Sequence, residues 1–553
     1  MIMVTNKSII VMKKILIRNI AFILGLFSLL LFNTCEEKID PIIEELNFNR
    51  AFAPVGLFAQ ISNVTTVTLS WSATKNTEHY LLEIYEGTSY AAASLLHTAD
   101  VEATELSYTY VLPAGDTQFS ARVQSFSSLE GVTESKWAMV EFKSAPENLF
   151  TGYTTMMTGL GECIVKWKPG SIATALAFSE GGNEISYPLT DGEIAAGEKT
   201  LTGVPNADYE IRLMNNTFVR GRINIVIEGD LLLPAGGDLA AAIAAMAPGG
   251  VLVLTNDSDY PLVETDTILS SIKIRGLFPD DLPVIYLMTG GGNHIFDVDP
   301  AMTFSDFVIF ENVDITSLYD GVGDTKHRGL FDVEGSAVSL GSLIFNNCII
   351  RNSGRSAIRL RGNADGQVIN NVEFNNCIMY DFAWDSHYGV LNPNSSTASM
   401  VNIKFINSTV YNIRGGIINY GSGIGCESVI VDNCTFDQVA MDASSGRWFI
   451  DFGSSGTSSG TMSISDCIMG QSSAAANGVR PGAMTLSVTG SYNTSDFVDV
   501  NGVFVASLTA YAGASTALWT YPADLLDLAN ADYTFADTNF EGILTAGDPR
   551  WRP

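Results

Sequence analysis

The chain is poor in positive charge. Across 553 residues it carries 30 Lys and Arg against 60 Asp and Glu, a formal net charge of −30, with only five histidines. A balance this acidic excludes a general nucleic-acid binder, which needs a basic footprint. Charged residues of both signs make up just 16% of the chain, too few for a helix-rich or coiled-coil surface. Long apolar runs are also missing. The longest near the start, Ile20–Phe32, has 13 residues, short for a bilayer span but suited to the core of a signal peptide. The seven cysteines include no CxxC pair, so zinc-site spacing is absent. Hydrophobic residues reach 46% and glycines number 50, which rules out global disorder and points to a turn-rich, β-rich protein of several cores.

The first 34 residues read as an export address. Lys13, Lys14 and Arg18 precede the apolar run, which ends in Leu31-Phe32-Asn33-Thr34-Cys35. This resembles a loose lipoprotein box with Cys35 as the lipidated residue. Glu36-Glu37-Lys38-Ile39-Asp40 follows and resembles the surface-export signal of Bacteroidota-type lipoproteins. The resemblance implies an outer-membrane, cell-surface protein anchored through lipid at Cys35, with residues 35–50 as an acidic tether.

Residues 51–146 alternate as short strands, including Val67–Trp71, Tyr80–Tyr85 and Phe119–Val123. Together with Ser135-Lys136-Trp137 they resemble a fibronectin type III domain. Residues 147–232 resemble a degenerate second copy through Cys163–Trp167 and Tyr209–Leu213. Such modules are expected to act as spacers.

The larger half repeats. Phe307–Val313, Leu343–Cys348, Val372–Cys377, Ile403–Ser408, Val429–Cys434 and Met462–Cys467 are successive copies, spaced 35, 29, 31, 26 and 33 residues apart. One strand per coil at variable spacing predicts a right-handed parallel β-helix over 233–500, because insertions can loop out of one turn without breaking the stack. Stacking creates columns about 4.8 Å apart: Asn312, Asn347, Asn376, Asn407, Asn433 and Asp466 in one; Val313, Cys348, Cys377, Ser408, Cys434 and Cys467 in the next. The four cysteines read as free and buried, with disulfides between adjacent coils as the rival arrangement. Asp238–Met246 is an apolar helix placed to cap the open N-terminal end. The order of this helix, Pro248-Gly249-Gly250-Val251 and Ile272–Gly276 resembles the pectate-lyase-like superfamily, closest to polysaccharide lyase family six, which includes chondroitinase B. Residues 501–553 end in Gly547-Asp548-Pro549-Arg550-Trp551 and resemble a domain of unknown function that closes surface lipoproteins of glycan-utilisation systems; they are expected to form a C-terminal cap. The fold class is therefore all-β: one or two fibronectin-like sandwiches, then a parallel β-helix with a capping helix.

A second strand in each coil aligns Gly329–Asp332, Ala357–Leu360, Gly389–Asn392, Gly416–Asn419 and Trp448–Asp451, good to about one residue. Just before each lies Arg328, Arg355, His387, Arg414 or Arg447. An arginine fork matches a carboxylate or sulfate through two hydrogen bonds. This basic column predicts a site for an acidic polysaccharide over Arg328, Arg355, Arg359, His387 and Arg414, with Trp384 and Tyr388 as stacking rings. The family resemblance implies a lyase that uses a base, a cationic acid and Ca²⁺ as a candidate cofactor. Arg359, Arg361, Lys404 and His387 are the catalytic candidates, although no lysine stands beside Arg359 and no metal site can be assigned. The expected function is a surface glycan-binding lipoprotein working beside outer-membrane glycan importers. The alternatives are a lyase cleaving uronate glycans by β-elimination, and an adhesin or scaffold.

Overall fold

The computed structural model describes residues 49–256, 259–288, 294–319, 322–323, 328–383, 388–421, 423–444, 446–453, 458–520 and 531–553. The signal segment, Cys35, Trp384 and His387 lie outside the described residues. The chain forms two compact units, 1–146 and 147–553.

In the first unit, Val55–Ser62, Thr66–Ser72 and Ser107–Val111 make one antiparallel sheet. Leu95–Glu102, Thr77–Glu86, Gln118–Ser127 and Ala138–Lys143 make the other, in that spatial order. Three strands facing four, the second sheet carrying the central Thr77–Glu86, is fibronectin type III architecture. Trp71 is buried between the sheets, edge-on to Tyr80 with ring centres 5.4 Å apart.

The second sandwich opens the other unit and repeats that order. Met156–Gly159, Glu162–Lys166 and Glu198–Leu201 face a sheet ordered Asn183–Pro188, Ala175–Glu180, Ala207–Asn215 and Phe218–Ile227. Its core around the fully buried Trp167 and Phe178 continues into Val253 and Leu277 of the first coils that follow. Glu228 also holds Lys273 and Arg275 across the junction, the latter at 2.7 Å.

From Leu231 the chain winds into parallel coils with three faces. Face 1 has ten strands, from Leu231–Leu233 to Thr485–Thr489; face 2 has ten, from Asp259–Leu262 to Thr509–Ala510. Face 3 has six: Phe331–Val333, Ile358–Leu360, Leu391–Pro393, Ile418–Asn419, Trp448–Asp451 and Asn477–Arg480. Every pairing within these three faces is parallel. The strand pairing begins before residue 233 and continues past 500, because Leu231–Leu233 and Thr509–Ala510 each add a rung to an edge that would otherwise be unpaired. The helix Leu239–Ala245 starts at Asp238, whose carboxylate accepts from the Ala241 N–H at 3.0 Å, and it buries Leu239, Ala242 and Ile243 in the coil core. It therefore covers the N-terminal end.

The columns form as the repeat predicts. Asn312, Asn347, Asn376, Asn407, Asn433 and Asp466 all have φ between 50° and 56°, a left-handed turn that asparagine tolerates better than other side-chain-bearing residues. Asn347 Nδ2 donates to Asn312 Oδ1 at 2.8 Å and Asn376 Nδ2 to Asn347 Oδ1 at 2.9 Å, so amides link coil to coil. Cys348, Cys377, Cys434 and Cys467 are buried and free. Burial pushes the Cys348 and Cys434 thiols well up, which keeps them protonated and inert. Inside, Phe310, Phe345, Phe374 and Phe405 stack with centres 5.3, 5.0 and 4.9 Å apart.

The C-terminal residues do more than cap. Phe497 and Phe504 close the end of the core. Of the described residues after them, Trp519, Tyr533, Phe535 and Phe540 pack on Tyr380 and Tyr411 of face 2. Asp548, buried, accepts from Thr409 Oγ1 at 2.8 Å; Trp551 Nε1 donates to the same hydroxyl at 2.7 Å. Arg550 donates to Asn376 O and Oδ1 at 2.6 and 2.8 Å, and Arg552 to Asn433 Oδ1. The terminal motif is a strap tied to the asparagine column.

Candidate functional site: the arginine groups of face 3

Face 3 differs from the sequence alignment by one residue in one coil. Arg359, not Leu360, pairs with Asp332, and the column runs Asp332, Arg359, Asn392. Ile418 then pairs with Leu391 and with Ile450, and Asn419 with Asp451, which pairs with Arg480. Counting back three residues from Phe331, Ile358, Leu391, Ile418 and Ile450 gives Arg328, Arg355, Tyr388, Gly415 and Arg447. Tyr388 thus holds the place expected for His387, and Arg414 stands one residue before its expected rung. The bends entering this face are tight. Gly329 has φ +136°, and an added Cβ would lie 1.8 Å from the Ser356 carbonyl oxygen.

Two arginine groups result. In the first, Asp332 is fully buried and meets three arginines. Arg361 Nε donates to its Oδ1 at 2.7 Å, while the guanidiniums of Arg359 and Arg355 lie 3.7 and 3.8 Å from Oδ2. Glu334 engages Arg361 and, at 3.1 Å, Arg328. The Arg361 charge, despite the cost of burial, holds the Glu334 carboxyl below the usual carboxylate range. In the second group the buried Asp442 lies 3.2 Å from Arg447 and 3.8 Å from Arg414, and Asp451 takes Arg480 through two contacts of 2.6 Å. The two groups hold seven arginines and four carboxylates, a local excess of positive charge in a strongly acidic chain.

Arg359 was expected to contact the glycan. It lies on the outer side of the strand but is only 7% exposed. Its guanidinium lies 4.1 Å from the centre of the Tyr388 ring and donates to the Tyr388 hydroxyl at 3.1 Å. Burial lowers its pKa, yet an arginine stays charged throughout the working range. Its Nε has no hydrogen-bond partner, and neither has Nδ2 of the adjacent, fully buried Asn392. Arg328, Arg355, Arg414 and Arg447 are instead part-exposed, with side chains 28, 31, 33 and 26% accessible, and Arg480 reaches 38%.

The remaining catalytic candidates do not converge. Lys404 lies on face 1 and is bound by Glu373 at 2.9 Å, whereas Arg359 and Arg361 belong to face 3 and the residues that leave it. Among the described residues no group of three or more His, Cys, Asp or Glu side chains is placed to hold a metal ion. Sequence reasoning passed over Asp332, Asn392, Asp442 and Trp448 as site residues. In sequence Asp332, Asn392 and Trp448 are marked only as members of the aligned segments and Asp442 lies between strands, so nothing local set them apart; Asp332 gains Arg355, Arg359 and Arg361 from the next coil.

No family model matches the chain, and no curated protein matches it. Among solved structures, a two-domain fibronectin type III segment of chicken tenascin is similar at 14% identity, covering 31% of this chain and 97% of its own, with TM-score 0.20. Chicken CNTN1 domains FN1–FN3 are similar at 14% identity, covering 32% and 64%, with TM-score 0.15. A redesigned β-sandwich protein is similar at 15% identity over 17% of this chain and 94% of its own, with TM-score 0.15. Among the described residues no helix is long and apolar enough to cross a membrane.

Proposed function

We propose that this chain is a lipid-anchored cell-surface protein that binds an acidic polysaccharide along face 3 of its β-helix, as part of a glycan-utilisation system. The observation that carries this reading is the row of half-exposed arginines. Arg328, Arg355, Arg414 and Arg447 keep 26–33% of their side chains accessible; buried Asp332 lies beside Arg355, buried Asp442 beside Arg414 and Arg447, and Glu334 beside Arg328. Coils rise by about 4.8 Å, near the length of one sugar residue, so a straight glycan can meet successive coils without bending. The acidic remainder of the protein repels polyanions that lack this match. Lipidation at Cys35 and two sandwiches would hold the face away from the membrane. Affinity electrophoresis against alginate, polygalacturonate and chondroitin tests the reading. Retardation that weakens with salt is expected; no retardation by any acidic glycan would overturn it and favour an adhesin or scaffold.

A second reading, a polysaccharide lyase, is favoured by one observation. The Tyr388 hydroxyl accepts from Arg359 beside the unpartnered Asn392 amide, which supplies a hydroxyl, a cation and a neutral donor for a uronate. Ca²⁺ remains part of that proposal. Ultraviolet absorbance of unsaturated product on incubation with the same polyuronates distinguishes the two.

A further inference from the structure

We infer that a cavity at the C-terminal end of face 2 binds a small protonated primary amine. The inference concerns face 2 and stands apart from the glycan reading of face 3.

The cavity holds about 200 Å³. It is lined by the last rungs of face 2, through Tyr492 and residues 509–512, and by the tail residues Asn539, Phe540 and Glu541. A cavity of roughly 150 Å³ already accepts a benzene ring, so one small ring or a short chain fits here. Tyr492 pairs with Thr509, and Tyr511 follows two residues later. Strand alternation therefore sets Tyr492, Thr509 and Tyr511 on one side of the sheet. Phe540 is buried and lies edge-on to both tyrosines, with ring centres 4.9 Å from Tyr492 and 5.7 Å from Tyr511. Asp537 ties the tail to the last rung. Its Oδ2 accepts from the Tyr511 hydroxyl at 2.9 Å and its Oδ1 from the Asn539 N–H at 2.9 Å. The tail also closes on Tyr492 at Gly542, where an added Cβ would lie 2.7 Å from the ring.

The charges in this lining have one sign. No Lys, Arg or His lines the cavity. Asp537 has both oxygens engaged, but Glu541 is exposed and, among the described residues, meets no cation. Burial, and then the charges of Glu541 and Asp466, raise the Tyr492 pKa, so its hydroxyl stays neutral. An anionic ligand would meet the Glu541 carboxylate with nothing to receive its own charge. A neutral ligand would leave Glu541 unmatched. A primary ammonium carries three N–H donors and no acceptor. Glu541, the Asn539 side-chain carbonyl and the Tyr492 hydroxyl supply three acceptors for it. The carbon body of the amine packs among the three rings, and a cation held close to aromatic rings gains further attraction. The same ammonium group can come from an amino sugar or from a lysine side chain.

The test uses the purified full chain and two matched pairs of probes: glucosamine with N-acetylglucosamine, and blocked lysine with its Nε-acetylated form. Affinities are read by ligand-observed NMR titration at low salt. In at least one pair the amine should bind about tenfold tighter than its uncharged partner. A preference in the sugar pair assigns the site to an amino sugar, and one in the lysine pair to a peptide. Glu541→Gln should abolish the preference while leaving the melting temperature unchanged, since Glu541 is exposed. Asn539→Ala should weaken the amine and spare the uncharged partner, because its backbone contact with Asp537 remains. Added salt should weaken the amine alone. No binding of either amine by the parent, equal binding within both pairs, or a preference that survives Glu541→Gln overturns the inference. None of these outcomes bears on the arginine row of face 3.

Discussion

The turn between faces 1 and 2 and the turn that enters face 3 are built on opposite plans. The first uses one residue per coil, always in the left-handed region, and fills it with Asn or Asp in six successive coils. Each amide serves its own turn and, at Asn347 and Asn376, the neighbouring coil as well. The second turn varies in length and composition. It holds arginine at 328, 355 and 447, tyrosine at 388 and glycine at 415, and its arginines meet carboxylates, Asp332 of the preceding coil at Arg355 and Asp442 and Glu334 of the same coil at Arg447 and Arg328. Regularity at one turn fixes the stack. The other is then free to vary, because the strands of faces 2 and 3 that flank it are already paired coil to coil.

The largest expected effect comes from breaking the regular turn. Asn376→Ala puts alanine at φ 56° and removes contacts with Asn347 and Arg550. It should cost about 2–3 kcal/mol from backbone strain and two lost hydrogen bonds, read as a fall in the urea midpoint. Asn376→Gly should recover only the backbone part. At the variable turn, Arg355→Ala with Arg447→Ala should lower affinity for an acidic glycan by about 1–2 kcal/mol, since these contacts are charge-assisted but partly solvated. The melting temperature should fall less than in Arg359→Ala, because Arg359 and Arg361 remain on Asp332 and Arg414 on Asp442. By contrast, Arg359→Ala should lower the melting temperature, because it uncovers Asp332 and removes the support of Tyr388.

A carboxylate without arginines sharpens the contrast. Asp266 opens a short strand ahead of face 3, and its Oδ2 has no hydrogen-bond partner. Burial raises its pKa from the ordinary 3.8 to about 6. The folded state then binds this proton more tightly than the unfolded state, so the contribution of Asp266 to stability falls as pH rises from about 4 to about 6. Asp266→Asn should raise the melting temperature at pH 7 and leave it little altered near pH 4. The smallest effect is expected at Lys404. Its pair with Glu373 is partly exposed, so Lys404→Ala should change stability by less than about 1 kcal/mol. Glycan affinity should be unaffected if face 3 is the binding face.

The repeat itself was legible because a parallel stack writes the same constraint into every coil. Inward positions must be apolar, the left-handed position must be Asn-like, and the crowded position after it must be small. Phe345, Asn347 and Cys348 report these three demands within four residues. The capping helix was legible for a similar reason, since apolar Leu239–Ala245 had only the open end of the coil to cover. The sandwiches were legible through Trp71 and Trp167, whose alternating neighbours leave them one side to face. Face 3 was less legible. Its turn varies in length, so counting along the sequence drifted by one residue and set Leu360 where Arg359 stands.

What the sequence by itself determined is therefore the all-β class, the sandwich-then-coil order and the stacked asparagine and cysteine columns. Each follows from local periodicity and backbone preference. Tertiary structure alone decided which cations are free. Arg359 and Arg355 lie four residues apart, yet one is sealed beneath Tyr388 and the other reaches solvent. It also decided that the terminal Asp548–Arg552 strap returns to Asn376 and Asn433. Burial and charge pairing depend on residues tens to more than a hundred positions away, and local spacing does not encode them.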